Sequence, residues 1–202
     1  MHPKPAAEAT PRLTRGEATR ERILEVASRA LRREGFAGVG VADVMREAGL
    51  THGGFYAHFE SREALLAAAI ERAGHDTNAA MCRHIEASRA RGRSGFRAVV
   101  DAYLSPVLLT RTEVGCVVAA VGSEMARQPP ELLALSAERV RRLVALIEQV
   151  LPQDADRSRA PMIAGTLVGT LQLARTLGAN AQGKAMLAAA RDALLAQYDP
   201  PQ

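Results

Sequence analysis

The chain has 202 residues, two cysteines, no tryptophan, three tyrosines and four phenylalanines, with 48% hydrophobic and 24% charged residues. That is ordinary globular composition with volume for a real core, which excludes wholesale disorder and a collagen-like repeat. The net charge of +4 is modest, two cysteines exclude a disulfide framework, and no stretch approaches the roughly 18 continuous apolar residues of a membrane span. The Met1–Gly16 stretch has no apolar stretch of the secretory type, so no signal peptide is predicted. With the low cysteine usage, this predicts a reduced, cytoplasmic home and no membrane partner. Residues 1–72 carry 11 basic and 10 acidic side chains, so any nucleic-acid face must be local rather than a bulk charge effect.

Apolar residues recur at three- and four-residue spacing and alternation is rare, so the predicted fold is all-α. The Pro-rich residues 1–15 read as a flexible arm. A helix is predicted from Glu17 to Glu34, with Ile23, Ala27, Ala30 and Leu31 on one face and Gly35 ending it. Two short helices follow, Val41–Ala48 and Thr51–His58, with Thr51 as N-cap of the second. Ser61 caps the next helix, which continues from Leu65 to Ala90 with a kink or break near Gly74. Arg91–Gly95 is a loop. Further helices are predicted over Phe96–Thr110, bent or ended by Pro106, then Gly115–Arg127, Glu131–Leu151, Asp156–Leu177 and Gly183–Tyr198.

The informative stretch is Gly35–Leu65. Two short helices separated by Gly49-Leu50 fit a helix-turn-helix at about residues 39–58, a unit that works by placing its second helix in the major groove of DNA. Phe36, Phe55 and Phe59 are core candidates. Thr51, His52, Gly53 and Gly54 stand where such a helix meets base edges. Gly costs roughly 1 kcal/mol against Ala in a helix, and close backbone approach to DNA is one reason to tolerate two. Tyr56, His58 and Arg62 can donate to phosphate oxygens.

These residues carry a resemblance. Thr19–Leu24, Gly35–Gly38, Val41–Val44, Glu47–Leu50, Gly53–Phe59 and Ser61–Leu65 together resemble the TetR family of bacterial transcriptional regulators. The resemblance implies a three-helix DNA-binding head, taken as residues 16–76, and a helical body, residues 77–202, that binds an effector and dimerises. It implies repression at a palindromic double-stranded operator, relieved by a small molecule that shifts the long fourth helix and changes the spacing of the two heads. By matching position, Tyr56 and His58 become the phosphate-contacting pair, Arg62 stands where the family often has Lys, and His52, Gly53 and Gly54 take base-reading positions. Hydroxyl residues common before the first short helix are here Val39 and Gly40. In the body, Gly115–Glu124 and Leu167–Arg175 are similar to segments of TetR-like proteins. Candidate effector contacts are Phe96, Tyr103, Cys116, Met125 and Leu171. Candidate homodimer contacts are Ile163, Gly165, Leu167, Gly169 and Leu171.

Plainer readings stand beside these. Tyr56 and His58 could be surface side chains on a packing helix, and free cysteine is commonly a small buried hydrophobe. A thiol-based electrophile or redox sensor of the same fold through Cys116 is one alternative function, and a helical small-molecule-binding module without DNA binding is another. His75, Cys82 and His84 lie close in sequence, but a metal site needs three or four ligands with outer-shell support, so no metal and no cofactor are predicted. No Gly-rich phosphate loop, His-Glu-x-x-His or Gly-x-Ser-x-Gly motif occurs, so an enzyme is not predicted.

Overall fold

The computed structural model describes residues 14–199, and among them every regular element is helical. Most of the expected arm, residues 1–13, lies outside the described residues. The first helix, α1 (Arg15–Gly38), opens with a reciprocal cap in which the Thr14 hydroxyl accepts the Glu17 N–H and the Glu17 carboxylate accepts the Thr14 N–H. Its apolar stripe is buried, with Ile23, Ala27 and Leu31 fully enclosed. Gly35 does not end the helix. At φ +77° it kinks α1 and delivers Phe36 into the core before a last turn.

The next helix, α2 (Val41–Glu47), buries Val44 and Met45. Gly49 at φ +68° then reverses the chain, and the Leu50 N–H donates to the Met45 carbonyl at 2.8 Å. The second predicted short helix is a 3-10 helix, His52–Ala57, and the Thr51 hydroxyl makes no capping bond. Two consecutive glycines weaken α-helix here, and Phe55 and Phe59 set the conformation instead, stacking at 5.8 Å in the core.

Ser61 accepts the Ala64 N–H and starts α3 (Arg62–Arg89), which runs through Gly74 without the expected break. Gly74 serves space rather than bending, since a Cβ there would fall 2.2 Å from Arg139 Nη1. Helix α4 (Gly95–Tyr103) is capped by Ser94 and stops short of Pro106, which begins a separate 3-10 turn, Pro106–Leu109. Helix α5 (Val117–Met125) departs from helical geometry at Val121. Helix α6 (Pro130–Val150) follows, then α7 (Ala160–Leu177) after a 3-10 turn, then α8 (Ala181–Tyr198), capped by Asn180.

Two apolar clusters organise these elements. The first gathers α1, α2, the 3-10 helix and the first half of α3, through Ala73. It also takes in Val117, Val118, Val121 and Met125 of α5 and Leu132 of α6. The second runs from Met81 of α3 through α4, α6, α7 and α8. Helix α3 therefore belongs to both clusters, and α5 stands between them. Among the described residues no helix is long and apolar enough to cross a membrane.

Candidate nucleic-acid interface and internal cavities

The 3-10 helix is anchored by Phe55 and Phe59, and this fixes what it presents outward. Thr51, His52 and Gly53 are exposed, Gly54 and His58 are half-buried, and Tyr56 is 71% exposed. A large aromatic this exposed is not a packing residue, and its hydroxyl is free to donate. The Tyr56 ring rests edge-on against Phe55 at 5.2 Å, so it is a stiff arm on a buried base. Arg20 of α1 lies over the Phe59 ring, 4.9 Å from its centroid, and adds a cation beside this surface that local sequence pattern does not place there. At Gly53 an added Cβ meets nothing within 4 Å, so nothing among the described residues requires a glycine there.

Arg62, a candidate phosphate donor, makes contacts within the chain that the sequence does not reveal. Its Nε donates to the Val39 carbonyl at 2.9 Å and its Nη2 donates to the Phe36 carbonyl. The guanidinium is turned inward, where its fork holds two carbonyls left open between α1 and α2. Val39, which replaces a hydroxyl residue, is fully buried. Arg62 therefore positions the helix-turn-helix from within.

A second link joins this surface to the rest of the chain. The carboxylate of Glu124, near the end of α5, accepts the Phe36 N–H at 3.0 Å. The positive φ of Gly35 frees that N–H from the helical ladder, and the carboxylate lies where a side chain at Gly35 would stand. Sequence reading singled out Gly35 as a helix end but had no means of pairing it with a residue in the body.

At its other end, α5 begins at Cys116, and two cavities meet there. One, about 300 Å³, lies between α3 and α6 and is lined in part by Thr77, Met81, Cys116, Val117, Arg139 and Leu146. The other, about 410 Å³, lies between α1, α3 and the Gly115 loop and is lined in part by Arg32, Asp76, Thr77, Met81, Tyr103 and Cys116. Thr77 separates them, its hydroxyl lying 2.9 Å from the Gly115 carbonyl. Tyr103 is 3% exposed and its hydroxyl has no hydrogen-bond partner of good geometry. Burial, and next the nearby Cys116, push the Tyr103 phenol well above its ordinary range. Arg175 stands close enough to oppose this, and burial lowers Arg175 itself.

Of the predicted effector residues, Tyr103 and Cys116 line a cavity. Phe96, Met125 and Leu171 do not line these two. Phe96 packs against Tyr198 at 5.7 Å, Met125 belongs to the first cluster, and Leu171 is fully buried in the second. A similar correction applies to α7. Ile163, Leu167 and Leu171 are each 0% exposed, facing their own protomer's core. The opposite face of α7 carries Met162, Gly165, Gly169, Leu173 and Leu177, and an added Cβ at either glycine meets nothing. Periodicity located an apolar stripe on this helix; it did not reveal that the helix has two.

His75 and His84, nine positions apart on the unbroken α3, are half a turn out of phase at 100° per residue and border different cavities. Among the described residues no group of three or more His, Cys, Asp or Glu side chains could hold a metal ion.

Residues 23–69, from the middle of α1 into α3, match the sequence profile of the bacterial regulatory proteins of the tetR family. Over 167 residues the chain is 30% identical to the uncharacterised HTH-type transcriptional regulator Rv0196 of Mycobacterium tuberculosis, a match covering 77% of this chain and 84% of that one. Over 168 residues it is 24% identical to the HTH-type transcriptional repressor NemR of Escherichia coli, covering 82% of this chain and 84% of NemR. A crystal structure of NemR in its reduced form has the same fold, with a TM-score of 0.72 at 19% identity over 91% of this chain and 98% of that one. A TetR transcriptional regulator from Chloroflexus aurantiacus gives a TM-score of 0.71 at 22% identity over 91% and 96% of the two chains. Profile, relatives and fold agree, and the chain belongs to the TetR family of transcriptional regulators.

Proposed function

We propose that the chain is a cytoplasmic repressor that binds a palindromic operator as a homodimer and leaves it when a small molecule fills the body. Residues 16–76 act as the DNA-binding head, and residues 77–202 bind the effector and dimerise. Thr51, His52, Gly53 and Gly54 face base edges, while Tyr56 and His58 grip phosphates. Few long side chains reach the bases, so DNA shape contributes to specificity. The exposed α7 face at Met162, Gly165, Gly169, Leu173 and Leu177 joins the two copies, and their symmetry sets two half-sites roughly 34 Å apart.

The observation that carries the effector reading is the position of α5. Its N-cap, Cys116, borders both cavities, and Glu124 at its far end holds the kink of α1. A ligand that moves α5 therefore acts on the head directly. The effect is a population shift, requiring tighter ligand binding to the DNA-incompetent state. The test is a titration against DNA upstream of the coding region at two salt concentrations, with a scrambled duplex as control. Salt-sensitive binding that prefers the upstream DNA by about 10³-fold is the expected result. Equal, weak binding to both duplexes favours the helical binding module without DNA function.

A second reading has its own support. Cys116 is partly accessible at the N-terminus of α5, with the unpartnered Tyr103 hydroxyl and the Arg32 and Arg175 guanidiniums nearby. On this reading the inducer is an electrophile or oxidant and the trigger is modification of Cys116. Cys116→Ser separates the two: release from DNA by electrophiles that survives the change rules out the sensor.

A further inference from the structure

Arg139 is a buried cation for which the fold provides little compensation. Its side chain is 5% exposed, its Nε has no partner, and its one carboxylate contact is Nη2 to Glu71 Oε1 at 3.4 Å. Charge-assisted pairs close to about 2.7–2.9 Å when satisfied, so this one is loose. A guanidinium carries five N–H donors, and burying it without acceptors is costly. The chain nevertheless makes room for it, because any side chain at Gly74 would displace Arg139 Nη1.

The cavity it borders has a matching asymmetry. Arg139 and Arg142 line it, and among the described residues no Asp or Glu does. Arg142 is exposed and held by Glu138 on the outer side of α6. The rest of the wall is mainly apolar, with Met81, Val117, Leu143 and Leu146. At about 300 Å³ the space is at the lower end for small-molecule sites.

We infer that the cavity between α3 and α6 binds a small amphiphilic carboxylate, its carboxylate held by the buried Arg139 and its apolar part by Met81, Val117, Leu143 and Leu146. The inference rests on the effector reading only for its consequence at DNA; the site stands on its own geometry.

The experiment is calorimetric titration of the full chain with octanoate, octanamide and octylammonium, three probes of one length and three charges. Octanoate is expected to bind about 30-fold or more tightly than octanamide, and octylammonium not to bind. Arg139→Gln is expected to bring octanoate down to the amide's affinity while leaving the amide unchanged. Leu146→Trp, which fills the cavity and leaves Arg139 in place, removes binding of both. The comparison of probes on the unaltered chain decides the matter even if Arg139→Gln does not fold. Equal affinity for octanoate and octanamide, or no saturable octanoate binding up to about 10 mM, overturns the inference. Saturable octanoate binding that leaves operator affinity unchanged supports the site and counts against the effector reading alone.

Discussion

The Glu124 carboxylate accepts the Phe36 N–H at 3.0 Å, across 88 positions of sequence, and stands within 2.5 Å of where a Cβ on Gly35 would be. A hydrogen bond to a charged group of this kind contributes about 1.5–3 kcal/mol. Glu124→Ala is therefore expected to lower unfolding stability by that order in urea titrations. Gly35→Ala is expected to cost more than about 1 kcal/mol from the positive φ alone, plus the displaced carboxylate. Removing the carboxylate removes the clash, so the double variant falls short of the sum by at least about 0.5 kcal/mol. Strict additivity disproves the contact.

Tyr56 and Arg62 were alike as candidate phosphate donors and separate in the structure. Tyr56→Phe with His58→Ala is expected to weaken binding to every duplex about equally, with the melting temperature unchanged. Arg62→Ala is expected to lower the melting temperature, and Arg62→Lys to restore it only in part, because an ammonium lacks the fork that serves two carbonyls. An Arg62→Ala protein that melts like wild type but binds DNA poorly returns Arg62 to the phosphate-contacting set.

Burial raises the Tyr103 phenol well above its ordinary range, so its unpartnered hydroxyl keeps a proton to offer a charge forming on Cys116. One hydrogen bond formed to a charge developing on the sulfur corresponds to about a fivefold change. Tyr103→Phe is thus expected to slow alkylation of Cys116 by iodoacetamide by about that factor, followed by mass spectrometry. Exposed Cys82 in the same molecule is the internal control and keeps its rate. Equal rates at Cys116 in both proteins remove Tyr103 from the argument.

On α7 the two faces predict opposite defects. Leu173→Glu, on the 59% exposed face, is expected to leave the fold intact and shift sedimentation toward the monomer, with operator affinity falling as well. Leu167→Ala, on the enclosed face, is expected to cost about 2–5 kcal/mol of stability. Leu173→Glu sedimenting as wild type assigns the subunit contact elsewhere.

The helical class and the positions of most helices were legible because periodicity reports burial, as at Ile23, Ala27 and Leu31. The outward set Thr51, His52, Gly53 and Tyr56 was legible because Phe55 and Phe59 fix the phase of a short segment. What was not legible depends on partners distant in sequence. Arg62 reads as a phosphate donor until the Phe36 and Val39 carbonyls are placed beside it. Gly74 reads as a kink until Arg139 arrives from α6, and Leu171 reads as lining until α7 is seen from both sides. Local pattern states that a face is apolar and cannot state which neighbour covers it.

The continuity of α3 has a mechanical consequence. Its 28 residues form a rod about 42 Å long at 1.5 Å per residue. Ile85, enclosed in the second cluster, is a natural pivot. Thr77, the wall between the cavities, lies about 12 Å from that pivot, and Arg62 about 35 Å from it. A rigid rod so held multiplies displacement about threefold, so a 1 Å shift at Thr77 becomes about 3 Å at Arg62. In a symmetric pair the two ends can diverge by twice that, about 6 Å, half the width of a major groove. On the function proposed above, a ligand no larger than the cavity beside Arg139 would have leverage enough to put the two heads of a dimer out of register.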